Sequence, residues 1–66
     1  MTTNPIVLDM LGDELRDAVV AAQARLHDDT IIARCEAGLW LVERAGATVE
    51  AGLSYEACVA GVAALA

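Results

Sequence analysis

Apolar side chains are more numerous in this chain than a molecule of its size can enclose. The chain has 66 residues, and 58% of them are hydrophobic. A folded chain of this length buries only about 60% of the surface that its unfolded form exposes. We therefore expect a contiguous apolar patch on the surface, which is typical of a protein–protein interaction site. The sequence predicts a single domain over residues 1–66 that associates with another protein chain, and a homo-oligomer is the simplest form of that association.

Charged residues interrupt every long apolar stretch. The longest uncharged run is Ala57–Ala66, ten residues, whereas a membrane-spanning helix needs roughly 20. Acidic residues at Asp9, Asp13 and Glu14 stand where a secretion signal would carry basic ones. The sequence thus predicts neither a membrane span nor a signal peptide, and we expect a cytoplasmic protein.

The formal net charge is −6, with four arginines and no lysine. Nucleic-acid-binding proteins neutralise phosphates with clustered basic residues, and these arginines are scattered, so direct nucleic-acid binding is not expected. An acidic surface suits a basic protein partner, although it is also a common route to solubility. Abundant alanine, with arginine in place of lysine and no phenylalanine, is typical of a GC-rich genome. The composition indicates a bacterial or phage origin.

Good helix formers dominate the chain, which predicts an all-α protein. Asn4 and Pro5 form a helix start signal, and a helix is expected from there to about His27. Gly12 and Asp13 leave open a break inside that helix. Its apolar face is defined by residues at steps of three and four, namely Leu8, Leu11, Leu15, Val19, Ala22 and Leu26.

The second half of the chain favours one or two more helices. Asp28 or Asp29 is expected to cap a helix over Ile31–Ala45, with Gly46 as its C-terminal cap. Thr48 and Ser54 are alternative caps for a last helix that ends near Leu65. A 3-4 alternation also favours one longer helix through Gly46, and that alternative stays open; its apolar seam would be Ile32, Cys35, Leu39, Val42, Val49 and Leu53. The predicted architecture is a helical hairpin or three-helix unit that completes a bundle by dimerisation.

The run Leu39-Trp40-Leu41-Val42 is the predicted contact region. Four consecutive apolar residues on a helix cannot all face one core, so at least one of them points outward. Trp40 is the strongest candidate because tryptophan is enriched at the energetic centres of interfaces, and the alternative is that Trp40 belongs to the core. Tyr55 is a lesser candidate. The predicted interface consists of Ile32, Leu39, Trp40, Leu41 and Val42, with Asp29, Glu36, Glu43 and Glu50 as its polar edge.

Residues that carry chemistry are few. Cys35 and Cys58 are predicted to be reduced, buried small hydrophobes. The spacing of these cysteines relative to His27, the only histidine, matches no zinc pattern. The chain also lacks a Ser–His pair in a catalytic context, a glycine-rich phosphate loop and a paired-cysteine motif. The sequence predicts no enzyme activity, no metal and no cofactor.

The segment Gly52-Leu53-Ser54-Tyr55-Glu56-Ala57-Cys58 resembles the entry to the first helix of a helix-turn-helix protein. The resemblance covers seven residues, and no basic residue follows that would hold DNA, so no DNA-contacting residue is carried over. It implies an accessory regulator related to such proteins. A further alternative is a phage or mobile-element inhibitor whose acidic face occupies a basic site on a host nucleic-acid enzyme.

Overall fold

A computed structural model describes residues 12–66 and shows an α+β fold. Two helices flank three strands in the order α1 (Asp13–Leu26), β1 (Ile32–Glu36), β2 (Leu39–Arg44), β3 (Ala47–Leu53) and α2 (Tyr55–Ala63). The prediction of an all-α helical bundle is therefore wrong. The helix start expected at Asn4 and Pro5 lies outside the described residues.

Helix α1 has the end that the sequence predicts. Its last residue is Leu26, and His27 adopts a left-handed conformation with φ 53°. The backbone N–H groups of His27 and Asp28 then donate to the carbonyls of Ala24 and Gln23, which satisfies groups that a helix end leaves unpaired. Gly12 precedes the helix with φ 74°, so the start of α1 coincides with the break that the sequence left open.

Two tight turns replace the central helix. Ala37-Gly38 and Ala45-Gly46 each join two strands, and all four residues have positive φ, from 54° to 82°. Two consecutive residues with positive φ define the type I′ turn, which joins antiparallel strands. The predicted helix over Ile31–Ala45 is wrong because Gly38 and Gly46 lie in hairpin turns. Alanine is disfavoured at positive φ, which is why Ala-Gly is a weak hairpin signal in the sequence.

The strands form one antiparallel sheet with β2 in the middle. Ala33 lies opposite Val42 and Cys35 opposite Trp40, on the face that we name the inner face. The intervening residues of β1 and β2 form the outer face, because successive side chains in a strand point to opposite sides. The predicted apolar seam is consequently split between the two faces: Cys35, Val42 and Leu53 lie on the inner face, and Ile32 and Leu39 on the outer face.

Both helices cover the inner face and form the core with it. The residues that contribute fully buried side chains are Leu15, Ala22, Ile31, Val42, Cys58 and Val62. The sheet residues that pack against this cluster without being fully buried are Ala33, Trp40 and Leu53, which all belong to the inner face. The molecule is therefore a two-layer structure with helices on one side of the sheet.

The helices lie side by side with their N-terminal ends together. At one end the Tyr55 hydroxyl accepts a hydrogen bond from the Leu15 N–H at 3.2 Å. At the other end the Arg25 guanidinium donates to the Leu65 carbonyl at 2.9 Å. Neither helix in residues 12–66 has the length and apolar content that crossing a bilayer requires.

A polar network joins the α1–β1 loop to the β2–β3 turn. Arg44 Nε donates to Asp28 Oδ2 at 2.8 Å, and the Thr30 N–H donates to Asp28 Oδ1 at 2.9 Å. Thr30 Oγ1 accepts from the Ala45 N–H at 2.8 Å. The hydrogen bonds from Thr30 and Arg44 lower the pKa of Asp28 to about 2. Asp28 thus orders this loop, and it does not cap a helix as the sequence suggested.

Candidate interaction surface

The outer face of the sheet carries apolar side chains that neither helix covers. Its residues are Ile32, Arg34 and Glu36 of β1 and Leu39, Leu41 and Glu43 of β2. Ile32 is 45% exposed and Leu39 is 51% exposed. In contrast Leu41, in the middle of the face, is 8% exposed. Burial of these exposed side chains is favourable, so the outer face is a candidate contact surface.

One arginine organises the charges on the outer face. Arg34 lies 3.0 Å from a Glu43 carboxylate oxygen and 3.5 Å from one of Glu36. These two carboxylates, Glu43 foremost, raise the pKa of the Arg34 guanidinium above its ordinary value. Counting these three groups, the outer face carries a net charge of one negative unit. Apolar side chains bordered by charged ones are typical of a protein interface with a polar rim.

Trp40 lies on the opposite side of the sheet from this surface. It packs edge-on against Tyr55, with ring centroids 5.6 Å apart and an interplanar angle of 70°, and it packs against the core cluster that includes Val42. Arg44, four residues further along the chain, forms an ion pair with Asp28. The structure therefore puts Trp40 and Val42 beneath the helices, whereas Ile32, Leu39 and Leu41 lie on the outer face.

The predicted acidic edge is also divided among different parts of the molecule. Glu36 and Glu43 accompany the apolar residues of the outer face. Asp29 is exposed in the α1–β1 loop. Glu50 lies on the helix side of β3, where its carboxylate is next to Gly61 of α2. A seven-residue spacing brings acids together on a helix but not in a sheet. Of the four predicted acids, only Glu36 and Glu43 lie near one another, since both form ion pairs with Arg34.

The two cysteines have different surroundings. Cys58 is fully buried in α2, and burial, together with the negative charge of Glu50, raises the pKa of its thiol. Cys35 is exposed on β1. The prediction of a buried small hydrophobe is confirmed for Cys58 and wrong for Cys35. Residues 12–66 contain no cluster of three or more side chains suited to holding a metal ion.

An apolar groove that sequence reasoning missed runs between α1 and β1. It has a volume of about 300 Å³. Gln23 of α1 bridges its two sides, because its Nε2 donates to the Ile31 carbonyl at 2.9 Å. The sequence signal for this groove was Val20, an apolar residue that lies outside the predicted apolar face of the helix. Its side chain is 56% exposed. The lining residues are Leu15, Arg16, Val19, Val20, Gln23, Ile31, Ile32 and Ala33.

Comparisons with models of protein families, with curated proteins and with solved structures find no match to this chain. The two candidate surfaces are therefore defined by the geometry of the chain itself. The outer face is an exposed surface with apolar side chains, and the groove is an apolar concavity beside it.

Proposed function

We propose that this chain is a non-enzymatic protein–protein interaction module that docks the outer face of its sheet on another protein chain. The observation that supports this proposal is the exposure of about half of both Ile32 and Leu39 on a face that neither helix covers. Covering those exposed halves contributes about 1 kcal/mol for each side chain. The partner is either a second copy or a different protein.

The decisive variant is Leu39→Asp, which places a charge among the apolar side chains of the proposed contact. The matched control is Ala21→Asp on α1, an exposed site that belongs neither to the outer face nor to the groove. The first measurement is solution mass by sedimentation at low and high protein concentration. Self-association predicts a mass that rises with concentration in the parent chain and in Ala21→Asp, but not in Leu39→Asp.

A hetero-partner is tested with the same two variants by co-purification from the native host. Here a specific partner is retained by Ala21→Asp and lost by Leu39→Asp. Equal association of all three proteins, in both measurements, would show that the outer face is not the docking surface. Unchanged circular dichroism of each variant establishes that the fold is intact.

A second candidate function is occupation of a basic site on a host nucleic-acid enzyme. It is supported by the shared N-terminal end of the two helices, where no acidic residue has an ion pair within residues 12–66. The exposed acids at that end are Asp13, Glu14, Asp17 and Glu56. Such binding weakens steeply as salt is added, whereas binding through the outer face is affected much less. A salt titration of the purified complex therefore separates the two functions.

A further inference from the structure

The two edges of the sheet differ in their capacity to accept another strand. The pairing of β3 with β2 shifts register twice, between Trp40 and Val42 and again between Val42 and Glu43. Bulges of this kind twist an edge and disrupt further pairing. The pairing of β1 with β2 is regular from Ile32 to Glu36. Edge β1 is therefore the better template for an added strand.

The register also shows which backbone groups of β1 do not pair with β2. Glu36 and Leu39 close a two-residue turn, and the closing pair of such a hairpin exchanges both backbone hydrogen bonds. Because hydrogen-bonded pairs alternate along an antiparallel ladder, Ala33 and Cys35 direct their N–H and C=O groups away from β2. A strand alongside β1 would form its hydrogen bonds with these two residues.

The groove beside this edge supplies the apolar part of a binding site. Leu15 and Val19 of α1 line one side, and Ile32 and Ala33 of β1 line the other. Its volume of about 300 Å³ is at the lower end for ligand pockets, so it suits one or two apolar side chains. A strand has side chains at alternate positions on one face, which matches a groove that runs along the strand edge.

Arg16 on the rim of the groove indicates the charge of the occupant. Within residues 12–66, Arg34 and Arg44 form ion pairs and Arg25 donates to backbone carbonyls. The Arg16 guanidinium forms neither an ion pair nor a hydrogen bond to a carbonyl within these residues. Arg16 lines the groove, and no acidic residue of α1 does so. A carboxylate on the bound segment would pair with this guanidinium.

The geometry points to a peptide-binding site at the α1–β1 groove, which takes an extended segment of another protein as a fourth strand next to β1. The segment places apolar side chains in the groove and an acidic side chain on Arg16. This mode combines main-chain hydrogen bonds for affinity with side-chain pockets for specificity. The added strand lies at the edge of the sheet, so this site shares Ile32 but not Leu39 with the outer face.

The test is an NMR titration of the full chain with a short capped peptide of alternating valine and threonine that ends in aspartate. The expected result is saturable shifts of the Ala33 and Cys35 amides. A peptide with lysine in place of aspartate should bind about twofold to fivefold more weakly, as an exposed ion pair would give. Arg16→Ala should abolish that preference, and a peptide N-methylated at alternate residues should not bind.

Two variants separate this site from the outer face. Val20→Asp, on the groove rim, should weaken binding of the aspartate peptide, whereas Leu39→Asp should not change it. The proposal is overturned if the aspartate peptide gives no saturable shifts at the groove, or if the lysine peptide binds more tightly. It is also overturned if the Ala33 and Cys35 amides shift with protein concentration alone, since a second copy would then occupy the edge.

Discussion

The start of α1 depends on one glycine and one tyrosine. Gly12 has φ 74°, and a methyl group at its Cα would collide with the hydroxyl end of the Tyr55 ring. That hydroxyl accepts the hydrogen bond from the Leu15 N–H, so it cannot move away without leaving the helix start unpaired. Gly12 thus permits both the backbone turn and the close approach of α2.

We predict that Gly12→Ala lowers the free energy of unfolding by about 2–4 kcal/mol, from the left-handed backbone and the collision together. Gly38→Ala is the matched control, because Gly38 has a similar φ of 82° but no atom within 4 Å of an added Cβ. The control should lose only about 1–2 kcal/mol, the cost of the backbone conformation. Urea denaturation of both variants measures the difference. Equal losses would show that Tyr55 yields to the added methyl group.

Asp28 gives the molecule a stability term that depends on pH. The native pKa of about 2 lies below the ordinary 3.8 of an aspartate, so the native state favours the charged carboxylate. The stabilisation is complete above pH 3.8 and disappears as the pH falls through 2. We predict that Asp28→Asn lowers the Tm at neutral pH and that its difference from the parent chain narrows across this interval. Thermal unfolding followed by circular dichroism at several pH values measures it.

The control for Asp28 is its neighbour Asp29, which is exposed and has no hydrogen bond or ion pair within residues 12–66. Asp29→Asn should leave the Tm near that of the parent chain throughout. A constant difference between Asp28→Asn and the parent chain down to pH 2 would exclude the charge of Asp28 as the cause.

Among the elements, the helices were predictable from the sequence and the sheet was not. The steps of three and four identified the buried side of α1, and Ser54 was one of the two caps predicted for the last helix, α2. The sheet was missed because Ala37 and Ala45 gave no turn signal and because Leu39-Trp40-Leu41-Val42 reads equally as a helix or as a strand. A strand that presents apolar side chains on both faces is apolar at successive positions, and this is the pattern of the central strand β2.

The same ambiguity limited the prediction of the interaction surface. The sequence placed Leu39 and Trp40 in one predicted contact region. In a strand, however, successive side chains point to opposite faces. The structure places them on opposite faces of β2. Composition predicted that apolar surface would remain exposed, but only the register of the strands determines which residues supply it.

Helix α2 has a conventional N-cap whose contribution is measurable. Ser54 Oγ accepts a hydrogen bond from the Ala57 N–H at 3.1 Å. We predict that Ser54→Ala lowers the free energy of unfolding by about 0.5–2 kcal/mol. Ser54→Asp should retain most of that stability, because aspartate is also a good N-cap. Urea denaturation provides the test, and equal destabilisation by both substitutions would mean that the cap does not contribute.

At the scale of the whole molecule, the distribution of apolar surface reflects the two-layer architecture. The core lies between the helices and the inner face and contains few fully buried side chains. The outer face has no second layer among the described residues, so Ile32 and Leu39 stay exposed. A small domain built this way has limited stability of its own, and contact with another chain would add to it.

The two cysteines report on the integrity of this architecture as a whole. Cys35 is exposed and Cys58 is fully buried, with a raised thiol pKa, and the thiolate is the reactive form. We predict that one thiol per native chain reacts promptly with a thiol reagent and that the second reacts only when the core opens. For a global stability of about 5 kcal/mol the second reaction would be slower by between roughly three and four orders of magnitude. Mass spectrometry after timed labelling measures the two rates, and the variant Cys35→Ala, which should lose the fast reaction, is the control. Equal rates for both thiols would show that the helices do not stay packed on the sheet.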